Sequence, residues 1–174
     1  SVLITDGKEI PAVYDYSTSM VKGFQAWLKS NYKKIERLNF LWGTAYKSFD
    51  NAPAPSTPWE PASSFKQRYG KDWYIYRHLV FKNYTEQMIA AVKSIDPNIK
   101  FVSDYGSVFD AASVSRGTLG FRSLNEKSDG IKVNDALAVY DHRWSVDIIK
   151  STSRPNFITA NELFVSSFFD SNIH

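Results

Sequence analysis

Four short apolar runs, at residues 2–4, 99–103, 130–133 and 157–160, are separated by stretches with helical periodicity. That alternation is what a parallel α/β sheet or barrel needs. Each run ends in polar residues: Asp6 and Glu9, then Asp104, then Asn134 and Asp135, then Asn161 and Glu162. In doubly wound sheets and in barrels the active site gathers beyond the carboxyl ends of the strands, so these residues are candidates for a shared rim. Val2-Leu3-Ile4 is expected to form a strand that stops at Asp6-Gly7, with Glu9 in the loop that follows. The four strands are expected to be parallel neighbours in chain order.

Between the strands, Ser17 reads as an N-cap. Met20, Val21, Phe24, Trp27 and Leu28 mark one face of the helix behind it. A second short helix carries Ile35, Leu38 and Leu41 and ends near Gly43. Pro53, Pro55, Pro58 and Pro61 define a surface loop, because proline donates no backbone hydrogen bond. Asp72 is expected to cap a long helix over 73–95, which Asp96-Pro97 ends. Residues 136–151 read as a helix with Leu137, Tyr140, Trp144, Ile148 and Ile149 on its apolar side, broken by Arg154-Pro155.

Composition excludes several classes of function. The net charge is only +3, and the densest basic cluster, Lys29, Lys33, Lys34 and Arg37, is interrupted by Glu36. At helical spacing this is a solvated face, and no nucleic-acid partner is expected. There is no cysteine, hence no disulfide, thiol nucleophile or thiolate metal site, and this leaves the compartment open. No apolar run approaches the roughly 20 residues of a membrane span. His78, His142 and His174 have no metal-ligand spacing, and Ser115-Arg116-Gly117-Thr118 is not a phosphate loop. Neither a metal nor another cofactor is expected. The five Trp, ten Tyr and twelve Phe suit carbohydrate stacking, although such rings also fill cores. Trp27 and Trp42, on helix faces, read as core.

The first quarter of the chain carries a more specific signal. Tyr14-Asp15-Tyr16-Ser17 is followed by Phe24-Gln25-Ala26-Trp27-Leu28, Tyr32, Leu38-Asn39 and Trp42-Gly43-Thr44. This run resembles the segment after the catalytic acid in family-42 glycoside hydrolases, the β-galactosidases. There a Phe-Arg-x-Trp-Leu helix and a Tyr precede Leu-Asn-x-x-Trp-Gly-Thr; Gln25 stands where the family has Arg. The remainder matches in the order of its elements.

The resemblance implies that residues 1–174 are a single fragment of a catalytic (β/α)8 TIM barrel, about strands 4 to 7 with their helices. It implies a retaining glycosidase in the full-length parent, with no obligatory cofactor and a β-galactoside or related glycan as partner. Glu9 falls where the acid/base follows the fourth strand, and Glu162 where the nucleophile follows the seventh. Asn161, Asp104, Tyr105, Asn134 and Asp135 would bind substrate. Two features depart from the pattern. Lys8 stands where the family has an Asn before its acid/base, and the gap from Glu9 to the Tyr-Ser pair is short. Lys8 favours the alternative of a non-catalytic, carbohydrate-binding or structural relative. A whole barrel takes roughly 250 residues. The chain alone is therefore expected to be inactive and to self-associate through exposed barrel edges.

Overall fold

The computed structural model describes residues 2–5, 8–11, 16–54, 68–104, 121–133 and 139–161, the side chains of 2–5, 8–11, 68–69, 121 and 139–142 excepted. The chain divides into two units, residues 1–79 and 80–174.

In the first unit, Val2–Thr5 (β1) pairs antiparallel with Lys8–Pro11 (β2), Ile4 opposite Glu9 and Thr5 opposite Lys8. This corrects two expectations. Glu9 lies in a strand and not in a loop, and β1 forms a separate two-stranded sheet outside the parallel one. The physical reason is in the sequence: only Asp6-Gly7 separates the strands, and Asp-Gly is a preferred pair for two-residue hairpin connections.

Thr18–Tyr32 (α1) starts at Ser17, whose Oγ accepts from Met20 N at 3.3 Å, as expected of an N-cap. Ile35–Trp42 (α2) ends at Gly43 with φ 68°, a left-handed conformation that glycine adopts without a Cβ penalty. Phe24, Leu28, Tyr32, Leu38, Ala52 and Trp73 form the buried cluster of this unit, with Trp27 and Trp42 packed against it. Phe24 meets Trp73 edge to face at 4.9 Å.

Asn39, Thr44 and Gln25, within the family-like run, fasten the first unit. Asn39 Oδ1 accepts from Thr44 Oγ1 and Tyr46 N, both at 2.9 Å, and its Nδ2 donates to Tyr46 O at 2.9 Å. Gln25 Nε2 donates to the carbonyls of Asp50 and Ala52 at 2.9 and 3.0 Å, tying α1 to the short 3-10 turn Phe49–Asn51.

The long helix Arg68–Ile95 (α3) begins four residues before Asp72. Asp72 is therefore not its N-cap. Its carboxylate is buried and accepts from the Tyr32 hydroxyl and from Trp42 Nε1, the latter at 2.8 Å. A buried carboxylate needs such donors, and they come from residues far away in the chain.

In the second unit, Val102–Asp104 (β3), Gly130–Val133 (β4) and Ile158–Asn161 (β5) form a parallel sheet in the order β3-β4-β5. The short helix Phe121–Leu124 (α4) and the helix Val139–Thr152 (α5) fall between the strands in sequence, giving the crossovers that parallel neighbours require. Leu124, Ile131, Val133 and Ile149 are buried together, joined by Phe81 and Phe157. Ile131 and Val133 thus face the helices, and strand alternation turns Gly130 and Lys132 to the opposite face. Trp144, expected on the apolar side of α5, is 64% exposed. Ile149, expected on the same side, is buried, so the core-facing stripe of α5 is narrower than the run of apolar residues.

The amino ends of the strands are fastened by Asp129. Its Oδ2 accepts from Phe101 N at 3.0 Å and lies 2.7 Å from Lys93 Nζ, with Lys100 Nζ 3.8 Å from Oδ1. The Lys93 hydrogen bond, then the Phe101 N–H, hold this carboxyl below its ordinary pKa. Its backbone donates to Phe101 O and accepts from Ile158 N. Arg154, whose Pro155 neighbour follows the end of α5, donates to the carbonyls of Glu126 and Ser128 and covers the Phe157 ring at 5.7 Å. Ser128 Oγ lies 3.0 Å from Asn125 Oδ1 and 3.1 Å from Gly130 O.

Candidate functional site

The carboxyl edge of the parallel sheet is where three polar residues meet the strand ends. In register, Asp104 of β3 lies beside Lys132 of β4, which lies beside Ala160 of β5. Lys132 Nζ donates to Asp104 Oδ2 at 2.9 Å, with side-chain exposures of 27% and 56%. An ion pair this open to water contributes about 0–1 kcal/mol to stability. Asn161 ends β5 in register with Val133, so it shares the edge but alternates to the helix-covered face.

Of the residues selected from sequence, Asp104 and Asn161 are thus brought to one edge, on opposite faces. Tyr105, Asn134, Asp135 and Glu162 lie outside the described residues. Glu9 is described in its backbone alone, in β2 of the first unit. No carboxylate pair is therefore described. Lys132 was missed by sequence reasoning, although a signal existed. It is the one charged residue in the apolar run Gly130–Val133, and period-2 alternation alone assigns it to the face opposite Ile131 and Val133.

Among the described residues no group of three or more His, Cys, Asp or Glu could hold a metal ion. Among them, too, no helix is long and apolar enough to cross a membrane.

With this geometry in place, comparisons place the chain among known proteins. Its sequence matches the glycoside hydrolase 42 family, described as "Beta-galactosidase", over residues 4–161. Over 80 residues, 46% of the chain, it is 31% identical to a "Beta-1,2-glucosyltransferase" of Ignavibacterium album, and it covers 10% of that relative. Its fold resembles the catalytic domain of a β-amylase from Paenibacillus polymyxa, with TM-score 0.67 at 13% identity, covering 86% of this chain and 42% of that one. It also resembles a β-galactosidase from the psychrophilic Marinomonas ef1, with TM-score 0.54 at 18% identity, covering 76% of this chain and 21% of that one. At such identities these structures speak for fold. They are TIM-barrel glycosidases, and the α/β fold here is a part of that barrel. The chain spans less than half the length of each of these relatives.

Proposed function

The chain belongs to glycoside hydrolase family 42, the β-galactosidases, and from that premise we propose that it carries the middle of a retaining glycosidase barrel, with Glu162 as nucleophile and Glu9 as acid/base. The observation that carries the reading is the family match itself, which begins before Glu9 and ends at Asn161, beside Glu162. Two carboxyls are needed because one must protonate the departing oxygen while the other attacks the anomeric carbon, at a separation of about 5–5.5 Å. They need unequal pKa values, one protonated and one ionised, which mutual repulsion and burial supply. A barrel mouth joins residues as distant in sequence as these.

In this reading residues 1–174 are one slice of the catalytic barrel. Asp104, Tyr105, Asn134, Asp135 and Asn161 line the sugar site on the carboxyl side of the strands. Support for that side comes from Asp104 and Asn161, which end β3 and β5 at one edge of the sheet. The substrate is a β-galactoside or related glycan, and no cofactor takes part in the two-carboxylate chemistry. The 174-residue chain alone does not hydrolyse an aryl β-galactoside, because it supplies too few strands to close the barrel. β3 and β5 are the outer strands of the described parallel sheet, so the isolated chain tends to self-associate.

The test is made in the full-length protein that contains this chain. Glu9→Gln should slow hydrolysis most for poor leaving groups, since activated aryl groups depart without a proton. Added azide should rescue it by attacking the glycosyl-enzyme in place of activated water. Wild-type rates for every leaving group would contradict the acid/base role. They would favour the second reading, a carbohydrate-binding relative that lost its acid/base. One specific observation supports that alternative: Lys8 stands where the family has the Asn that precedes the catalytic Glu.

A further inference from the structure

The two faces of the parallel sheet are covered unequally. Ile131 and Val133, which point to the helices, are 0% exposed. On the opposite face Val102 and Ile158 are 39% and 40% exposed, and they stand in one row with Gly130 between them. Gly130 contributes no side chain, and Ile158 takes the space beside it: a Cβ at Gly130 would lie 2.6 Å from Ile158 Cβ. The row therefore draws its side chains from β3 and β5, both branched and apolar, and none from β4.

That composition matches part of one barrel layer. The interior of a (β/α)8 barrel is packed in layers of four side chains, mostly bulky and branched, and the four come from alternate strands. β3 and β5 are alternate strands, since β4 lies between them. Two places of a layer are thus filled. The other two fall to the second strand beyond β3 and the second strand beyond β5. The described parallel sheet has three strands, where a closed barrel has eight. The chain spans 42% and 21% of the two barrel glycosidases it resembles, so a full-length protein of that size has polypeptide to supply the others.

We propose that Val102 and Ile158 form an internal docking surface, half of one barrel layer, closed by two branched apolar side chains from other strands of the same full-length polypeptide. A second copy of this chain does not fit the role, because two copies of the described sheet bring six strands, short of a closed barrel. A sugar does not fit it either. Sugar chemistry in this architecture belongs to the carboxyl ends, and this row lies two residues toward the amino ends from Asp104, Lys132 and Ala160. The proposal rests on the barrel fold and is independent of which carboxylates react.

The experiment is thiol labelling of the native full-length protein carrying Val102→Cys or Ile158→Cys. Residues 1–174 contain no cysteine, and the wild-type protein corrects for any elsewhere. Each introduced thiol is compared with the same thiol in denaturing urea. Both should react on the order of 100-fold more slowly, or slower still, in the native protein. That protection should be equal at every protein concentration and unaffected by added galactose. Labelling of either thiol at the denatured rate means an open face and overturns the proposal. Protection that weakens on dilution assigns the face to a second copy and overturns it too. So does protection that appears only with galactose, which would make the row a sugar wall. Should a thiol loosen the barrel, Ile158→Val supplies a gentler measurement, with Ile131→Val setting the scale for a fully buried position. Both should lower the urea midpoint by similar amounts; a midpoint for Ile158→Val equal to wild type overturns the proposal. Turnover in Glu162→Gln bears on the nucleophile and moves neither readout.

Discussion

At the amino ends of β3, β4 and β5, Asp129 takes a backbone N–H and two lysines, while Arg154 and Ser128 satisfy the surrounding carbonyls. At the carboxyl ends of the same strands Lys132 donates to Asp104, whose side chain is 56% exposed. One end spends its polar groups on joining strands and loops. The other joins two side chains on neighbouring strands. In (β/α) barrels generally, the amino face carries stability and the carboxyl face carries the chemistry. The comparison teaches that a charged residue's value in such a sheet is read from what it bonds, not from its charge.

The comparison can be broken at several points, the most severe first. Gly130 begins β4, and a Cβ there would lie 2.5 Å from Ile158 O and 2.6 Å from Ile158 Cβ. Gly130→Ala must push β5 aside, at a cost of about 3 kcal/mol, the upper end for overpacking; urea denaturation measures it. A midpoint equal to wild type would mean that β4 and β5 do not approach so closely.

Asp129→Asn should cost about 2 kcal/mol at pH 7, through the lost charge-assisted bonds. Its effect should also depend on pH. The folded pKa is depressed below the unfolded value of about 3.9. The stabilisation is therefore complete above that value and is lost as pH falls toward the folded pKa. Unfolding midpoints of wild type and Asp129→Asn should converge below about pH 4; a constant gap down to low pH would show that the ionised carboxylate is not what matters.

Ser128→Ala, which removes a buried hydroxyl bonded to Asn125 and Gly130, should cost about 1 kcal/mol in the same assay. Lys132→Met, at the opposite end, should change stability by no more than about 0.5 kcal/mol. Should Lys132→Met prove as damaging as Asp129→Asn, the two ends would not differ in kind.

The parallel sheet was legible because β3, β4 and β5 are short apolar runs bounded by polar residues, and their order follows from the helices between them. α1 and α2 were legible from their caps, Ser17 and Gly43. The hairpin was not, because Asp6-Gly7 can end a strand or connect two, and only a partner strand decides. Asp72 looks like a cap locally because its actual partners, Tyr32 and Trp42, lie 40 and 30 residues away. Burial of a carboxylate is a tertiary fact that no local pattern announces. Of the candidate site, Asp104 and Asn161 were legible as strand-end polar residues. Lys132 stands inside an apolar run, whose pattern announces only the core-facing Ile131 and Val133.

The central claim is that the reacting group stands at the carboxyl edge of this sheet, and one measurement tests it most directly. Turnover of an aryl β-galactoside by Glu162→Gln in the full-length protein should be compared with wild type, together with the unfolding midpoint. Exchanging a carboxylate for its amide removes the charge and keeps the shape, so turnover should fall by several orders of magnitude with the midpoint little changed. Turnover equal to wild type on every β-glycoside tried would contradict the account.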